Sequence, residues 1–376
     1  MNKKKLAIIR ADDVLIPLVL KAKEMGIKTH CFSWDKEEYV DCKDIADYFH
    51  SISILEKELI LEKCKETGID GITSICSDIA MPTVAYVAQG MGLIGNRYED
   101  ALIMSNKYKV RQAFFKNGVS QPRYTVASKM QSPDMTELQF PLIVKPTDRC
   151  SSVGVKKVEN EAELQEAVLR AQQFSYSGEA IIEEFITGCE ATVDMISWQG
   201  KHYPIIISDT ETTGAPYFSK IGYHQPSQLS PDIQSKILDE AKKALTALNF
   251  VYGVSDIEVK ITEKGEVKLI EINPRLGADG TEQLLKLSLG YDVIKGVIDV
   301  AMNQFEEPVF PIKKHSGICY LSKETEYLKV VMENKNNDPD IVVVQIDNEE
   351  LKYLQGGGDR SGYLIYQSEQ RRSWVP

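Results

Sequence analysis

The stretch GVSDIEVKITEKGEVKLIEINPRLGADG (253–280) gathers hard oxygen donors on two alternating strand patterns, 254–261 and 267–273, around Lys264-Gly265. A two-residue hairpin centred there sets Glu258 opposite Glu271 and Asp256 opposite Asn273. Strand periodicity then puts Glu271 and Asn273 on one face, and another turn type would slip the pairing by about one residue. Carboxylates opposed at about 5 Å repel, so the pairing makes sense if a cation sits between them. Oxygen ligands without histidine or cysteine indicate Mg²⁺ or Mn²⁺ rather than zinc. Glu258 alone would read as a solvated strand residue. Paired with the Glu271-x-Asn273-Pro274-Arg275 end of an apolar strand, it reads better as a metal ligand, with substrate phosphates completing the shell.

Lys145 ends the apolar run Leu142-Ile143-Val144. A lysine there is costly unless it meets an anion or snorkels out at an edge. It leads into TDRCSSVG (147–154), whose amides and hydroxyls suit a phosphate, although Ser/Gly turns are common. In IIEEFITGCEATVD (181–194) an alternating strand carries Glu183, and Glu190 follows the turn. Alone, these acids read as the solvent face of an edge hairpin.

The elements that must position these residues are legible around them. Residues 5–104 alternate short apolar runs (6–9, 28–34, 47–52, 70–76) with helical patterns (14–25, 56–67, 78–90) that stop at glycines. That alternation predicts a parallel sheet with helices on both faces. No GxGxxG follows the first strand, so a dinucleotide site there is unsupported. SNKYKVRQAFFKNG (105–118) predicts a helix with a serine N-cap and a glycine stop. Strands at 141–146, 153–158, 180–186 and 190–197 with a helix at 161–173 predict an antiparallel α+β region. Residues 209–230 read as a long loop, which in a compact protein is usually functional or disordered. Helices follow at 231–249 and 281–304, the latter broken near Gly290. Residues 315–376 read as short strands with a Gly356-Gly357-Gly358 turn.

Composition narrows the function classes. The chain has 376 residues, 43% hydrophobic and 26% charged, which suits a soluble globular protein of two to three domains. A net charge of −11 opposes nucleic-acid binding, which needs clustered basic residues. Seven cysteines without CxxC suggest reduced cytoplasmic thiols rather than disulfides or zinc. The four-residue apolar run after MNKKK is too short for a signal peptide, and no run of about 20 apolar residues marks a membrane span.

In order along about residues 1–310, these pieces resemble the ATP-grasp superfamily. The resemblance is carried by SNKYKVRQAFFKNGVSQP, PLIVKP, the small-residue loop, EEFITGCE and GVSDIEVK…EINPRLG. It is nearest the carboxylate-amine ligase branch, beside L-amino-acid ligases, biotin carboxylase and the carbamoyl-phosphate synthetase large subunit. The resemblance implies a mixed α/β and α+β protein: a parallel-sheet domain (1–105), an ATP-grasp domain (106–310) with a lid at about 108–185, and a small β-rich C-terminal cap (311–376). It implies ATP and Mg²⁺ (or Mn²⁺) as cofactors. Lys107 and Lys145 would meet the phosphates, with Ser151, Ser152 and Gly154 over the γ-phosphate. Glu183 and the backbone of Glu184 and Ile186 would hold adenine, and Glu190 the ribose. Glu258, Glu271 and Asn273 would hold metal, and Arg275 the activated carboxylate. The loop departs from the family in being CSSVG rather than glycine-rich.

The implied reaction is amide or peptide bond formation between small carboxylate and amine substrates, through an acyl phosphate. ADP and phosphate are released, and Lys145 and Arg275 are catalytic. The segment with Lys220, Tyr223 and His224 would select substrate. A homodimer is common among such relatives, and a cytoplasmic setting is expected. Activation of bicarbonate remains open, and so does a non-catalytic ATP-binding subunit or sensor.

Overall fold

The computed structural model describes residues 3–34, 36, 40–130, 132–150, 153–215, 217–278 and 280–374. Four parallel strands open the chain: β1 (Lys5–Ile9), β2 (Lys28–Ser33), β3 (Tyr48–Ser51) and β4 (Gly71–Thr73), in the order β3-β2-β1-β4. Their connections include the helices α1 (Ile16–Glu24) and α2 (Lys57–Thr67), and α3 (Met81–Met91) follows β4. One sheet face packs α2 and α3 through Ile60, Cys64, Val84 and Val87. The other packs α1 against residues from the far end of the chain, among them Val293, Val297 and Ile298. Burial on both faces explains the apolar runs at β1 and β4, while the edge strand β3 is half-buried to exposed.

The helices α4 (Tyr98–Met104) and α5 (Lys107–Lys116) lead out of this layer. Asn106, not Ser105, caps α5, accepting from the Lys109 amide at 3.0 Å. Asparagine and serine are comparable caps, so sequence could not separate the neighbours.

A second sheet follows, in the segment expected as the lid: β5 (Tyr124–Ala127), β6 (Leu142–Pro146), β7 (Lys156–Val158) and β8 (Ala180–Glu184), antiparallel in the order β5-β8-β6-β7. One face is covered by α6 (Glu161–Phe174) through Leu164, Ala167 and Ala171.

An eight-stranded antiparallel sheet forms the rest. Its strands are β9 (Cys189–Trp198), β10 (Lys201–Thr212), β11 (Lys220–Gln225), β12 (Gly253–Ile261), β13 (Val267–Asn273), β14 (His315–Leu321), β15 (Ile341–Ile346) and β16 (Gly362–Ser368). The order is β13-β12-β9-β10-β11-β14-β16-β15. The amphipathic α7 (Pro231–Ala247) covers part of one face with α5, burying Ile237, Ala241 and Leu245 against Val193 and Ile257. The helices α8 (Thr281–Leu289) and α9 (Val293–Ala301) part at Gly290, which takes a left-handed φ of +69°.

Two sequence expectations change here. The long loop expected over 209–230 is broken up by strand, because β10 runs to Thr212 and β11 spans Lys220–Gln225; residues of both segments pair in the ladder. The C-terminal strands do not form a sheet of their own. Strand β14 pairs with β11, so the sheet continues across residue 311. The short α10 (Leu328–Glu333) packs on this end. Among the described residues, no helix is long and apolar enough to cross a membrane.

Candidate active site

The β12–β13 hairpin sets the centre of the site. Its turn is not the two-residue type. Thr262 accepts from Gly265 at 2.8 Å and donates its amide to Glu266 at 2.9 Å, so Ile261 pairs with Val267. That is one residue out of the expected register. A bulge then inserts Ile270, and beyond it Glu258 faces Glu271 and Asp256 faces Asn273. The longer turn and the bulge offset each other, and the carboxylates meet across the strands.

The bulge also leaves edge carbonyls to satisfy. Arg111 on α5 donates to Leu269 O at 3.0 Å and Ile270 O at 2.6 Å, and through Nε to Glu183 Oε1 at 2.7 Å. Lys145 reaches the other oxygen of Glu183 at 2.8 Å. Glu183 is 3% exposed. Burial alone would raise its pKa, but Arg111 and then Lys145 outweigh this and hold it at about 2. Glu183 therefore ties the lid to the edge of the core, and both its oxygens carry a cation. The adenine contact implied for it would have to be made beside them.

At the centre, Glu271 pairs with Lys107 at 2.9 Å and Glu258 with Lys220 at 2.5 Å. Glu271 is held down to about 2 by Lys107 and Lys145 against its burial. Glu258 is pushed up by burial, with Glu271 and Asp256 adding to the rise against the pull of Lys220. Asn273 donates to Asp256 at 2.9 Å. Asp194 is the Cα partner of Asp256 on β9. Its pKa is raised well above the carboxylate range by burial and then by Asp256. The donor set is oxygen throughout, and ammonium groups already neutralise the opposed glutamates. Among the described residues no group of three His, Cys, Asp or Glu side chains is gathered to hold a metal by itself. Two carboxylates with an amide suit a Mg²⁺ whose shell phosphate oxygens complete.

Lys107 also fastens the loop after β6. Its amide donates to Thr147 O and its Nζ to Arg149 O, both at 2.7 Å. Ser151 and Ser152 lie outside the described residues. Gly154 has a φ of +75°, and a Cβ there would lie 2.9 Å from Pro146. It shapes the loop, while Val155 beside it lines the cleft.

The cleft between lid and core encloses about 320 Å³. At one end Glu184, bound to Arg123 at 2.7 Å, and Ile186 form the wall. Phe185 lies between Lys157 and Lys260 at 4.6 and 5.4 Å, against Phe218. Glu190 pairs with Lys260 at 3.0 Å. At the other end stands Arg275, bound to Asp78 at 3.0 Å; this carboxylate pushes its pKa up despite burial. Lys220 lines the cleft. His224, expected as a substrate contact, does not. It is buried behind the sheet, with Nδ1 2.9 Å from the Tyr366 hydroxyl. Lys220 and His224 are four residues apart, so strict strand alternation would put both on one face, but the register shift at Glu211/Thr212 skips Ile221 and breaks the alternation between them.

Lys107, Lys145, Glu258, Glu271, Asn273 and Arg275 are thus gathered in and around one cleft. Sequence reasoning missed Arg111, Asp78, Phe185, Lys260 and Arg360. Arg111 had a usable signal, being the one arginine on an otherwise amphipathic α5. Phe185 and Lys260 lie inside EEFITG and GVSDIEVK without a signal of their own, and Asp78 and Arg360 arrive from distant segments.

The family model for the ATP-grasp domain matches residues 138–283. The carbamoyl phosphate synthase large chain of Thermoanaerobacter sp. is 25% identical over 75% of this chain and 26% of its own length. Alanine–anticapsin ligase of Bacillus subtilis is 27% identical over 69% of this chain and 62% of its own. The chain thus spans less than two thirds of either. The crystal structure of an L-amino acid ligase from Bacillus licheniformis superposes with a TM-score of 0.80 at 20% identity, covering 98% of this chain and 94% of that one.

Proposed function

We propose that this chain, which carries an ATP-grasp domain over residues 138–283, is an ATP-dependent carboxylate–amine ligase acting on small molecules in the cytoplasm. The observation that carries the reading is the convergence of Lys107, Lys145, Glu258, Glu271, Asn273 and Arg275 on the lid–core cleft. The fold of the neighbouring ligase structure supports it.

The reaction moves the γ-phosphoryl of ATP onto a carboxylate oxygen, giving ADP and an acyl phosphate. The amine nitrogen then attacks the carbonyl carbon, the C–O bond to phosphate breaks, and the amine proton leaves to solvent. Little covalent work falls to the protein, so its contribution is positioning and charge neutralisation. Lys107 and Lys145 offset the phosphate charge. Arg275, already fixed by Asp78, presents a planar fork to the carboxylate. Glu258, Glu271 and Asn273 would hold Mg²⁺, which would supply positive charge against the phosphates. The hairpin EEFITG aligns Phe185 as an apolar face for adenine, with Glu190 toward the ribose. The lid, bound through Arg111–Glu183–Lys145, excludes water that would hydrolyse the acyl phosphate.

The test is ADP release from MgATP across pairs of amino acids and other small acids and amines. Release that needs both an acid and an amine supports the reading. Tight MgATP binding with no ADP from any pair would overturn it.

A further inference from the structure

A second cavity, of about 490 Å³, shares the end of the edge strand β13 with the nucleotide cleft: Ile270, Glu271 and Asn273 line both. Small-molecule sites typically enclose about 300–1,000 Å³ behind mainly apolar walls. Here Leu55, Ile79, Pro82, Met104, Val110 and Ile272 make up much of the wall. Leu55 follows β3 and Ile79 follows β4, so the chamber borders the carboxyl ends of parallel strands, where open α/β sheets hold ligands. The ionic groups of its lining are already engaged. Lys107 pairs with Glu271 at 2.9 Å, Asp78 with Arg275 at 3.0 Å and Lys57 with Glu58 at 2.9 Å. Asp148 accepts from the amides of Tyr176 and Ser177 at 3.1 and 2.7 Å, and the Arg149 guanidinium lies 4.5 Å from the Tyr176 ring. What the chamber still offers is apolar surface. Leu55, Ile79 and Tyr176 stay 57%, 40% and 71% exposed, and all three line this one cavity.

We propose that this chamber receives the side chain of the amine substrate, and that this amine carries a branched aliphatic, thioether or aromatic group. The inference rests on the ligase reading and names a substrate class for it. Two ion pairs set the chamber beside the reaction. Asp78 lines it while its partner Arg275 lines the cleft, and Lys107 lines it while its partner Glu271 lines both. The acid's carboxylate is assigned to Arg275 in the cleft, so the space on the other side of these pairs falls to the second reactant. Covering Leu55, Ile79 and the Tyr176 ring takes apolar surface out of water, which favours binding. A charged or amide side chain would be desolvated against a wall whose ionic groups are already engaged, which is costly.

The test compares wild type with Leu55→Asp, which puts a charge on the apolar wall, and Ile79→Ala, which trims it. Both side chains are exposed, so neither change opens a hole in the core. Leucine, methionine and phenylalanine are set against glycine, glutamine and aspartate, each with the same panel of acids. Fragmentation mass spectra of the product show which residue gave the nitrogen. As amines, the apolar residues should have KM values about 10- to 100-fold below those of the other three, the range for burying one apolar side chain. Leu55→Asp should raise KM for the apolar amines at least about tenfold, and Ile79→Ala should act in the same direction by less. The loss should be smallest for glycine, which has no side chain to place there. Equal KM values for apolar and polar amines, or a loss that falls on the acid rather than the amine, would overturn the proposal. Calorimetry of leucine and phenylalanine with the MgADP-loaded protein tests the chamber apart from turnover. Binding to wild type that is lost in Leu55→Asp supports the chamber even if no pair releases ADP, a result that would sink the ligase reading alone. Binding unchanged in Leu55→Asp, or ADP release without preference among amines, would overturn the chamber and leave the ligase reading standing.

Discussion

Glu183→Gln is the sharpest perturbation of the machinery that joins lid to core. In wild type the carboxylate sits between Arg111 at 2.7 Å and Lys145 at 2.8 Å, and the arginine and glutamate side chains are each 3% exposed. Removing one partner of a buried ion pair costs about 3–5 kcal/mol, because the remaining charges are left uncompensated. Proton linkage gives a similar size: a carboxyl held at about 2 instead of 4.5 contributes about 3 kcal/mol at neutral pH. The sign follows from the depressed value. This stability is present above the unfolded pKa near 4.5 and is lost as pH falls from there toward 2. Glu183→Gln should therefore lower unfolding stability by about 3 kcal/mol at pH 7, read by urea denaturation, and should lose that part of the acid dependence. Glu307→Gln is the control. Its pair with Lys201 is 62% and 63% exposed, so the change should cost under about 1 kcal/mol. A cost for Glu183→Gln no larger than the control's would refute the claim that the triad fastens lid to core.

Three further outcomes are expected. Glu271→Ala should abolish Mg²⁺-dependent turnover, and retained activity would remove Glu271 from the metal site. Arg275→Ala should leave MgATP affinity within about threefold by calorimetry while kcat falls about 100-fold or more, the loss expected when a transition-state charge contact goes. Gly188→Ala should destabilise the fold by about 1–3 kcal/mol. Its φ is +151° and a Cβ would lie 2.0 Å from Ile261 O, so an unchanged melting temperature would contradict the close approach of the EEFITG turn to β12.

Much of this architecture was legible because it rests on local pattern. The parallel strands announced themselves as apolar runs between glycine-stopped helices. The pairing of Glu258 with Glu271 was legible for a less simple reason. The expected turn was wrong by one residue, and the Ile270 bulge restored the register. A bulge has no reliable one-residue signature, so the agreement at the carboxylates depended on two offsetting departures. Lys145 was readable from its position at the end of an apolar strand, but its partner was not. Arg111 lies 72 residues from Glu183, and nothing in either segment specifies the other. The same holds for Asp78 with Arg275, which lie 197 residues apart. His224 was misread because residues 209–230 look polar enough for a loop. In the ladder their backbones pair with neighbouring strands, and the imidazole turns to Tyr366.

The central claim is phosphoryl transfer to a carboxylate, and the nucleotide product tests it most directly. In the screen over acids and amines, with and without bicarbonate, ³¹P spectra should show ADP and inorganic phosphate appearing together only when an acid and an amine are both present. AMP with pyrophosphate would contradict the acyl phosphate, and ADP formed with bicarbonate in place of an organic acid would contradict the ligase.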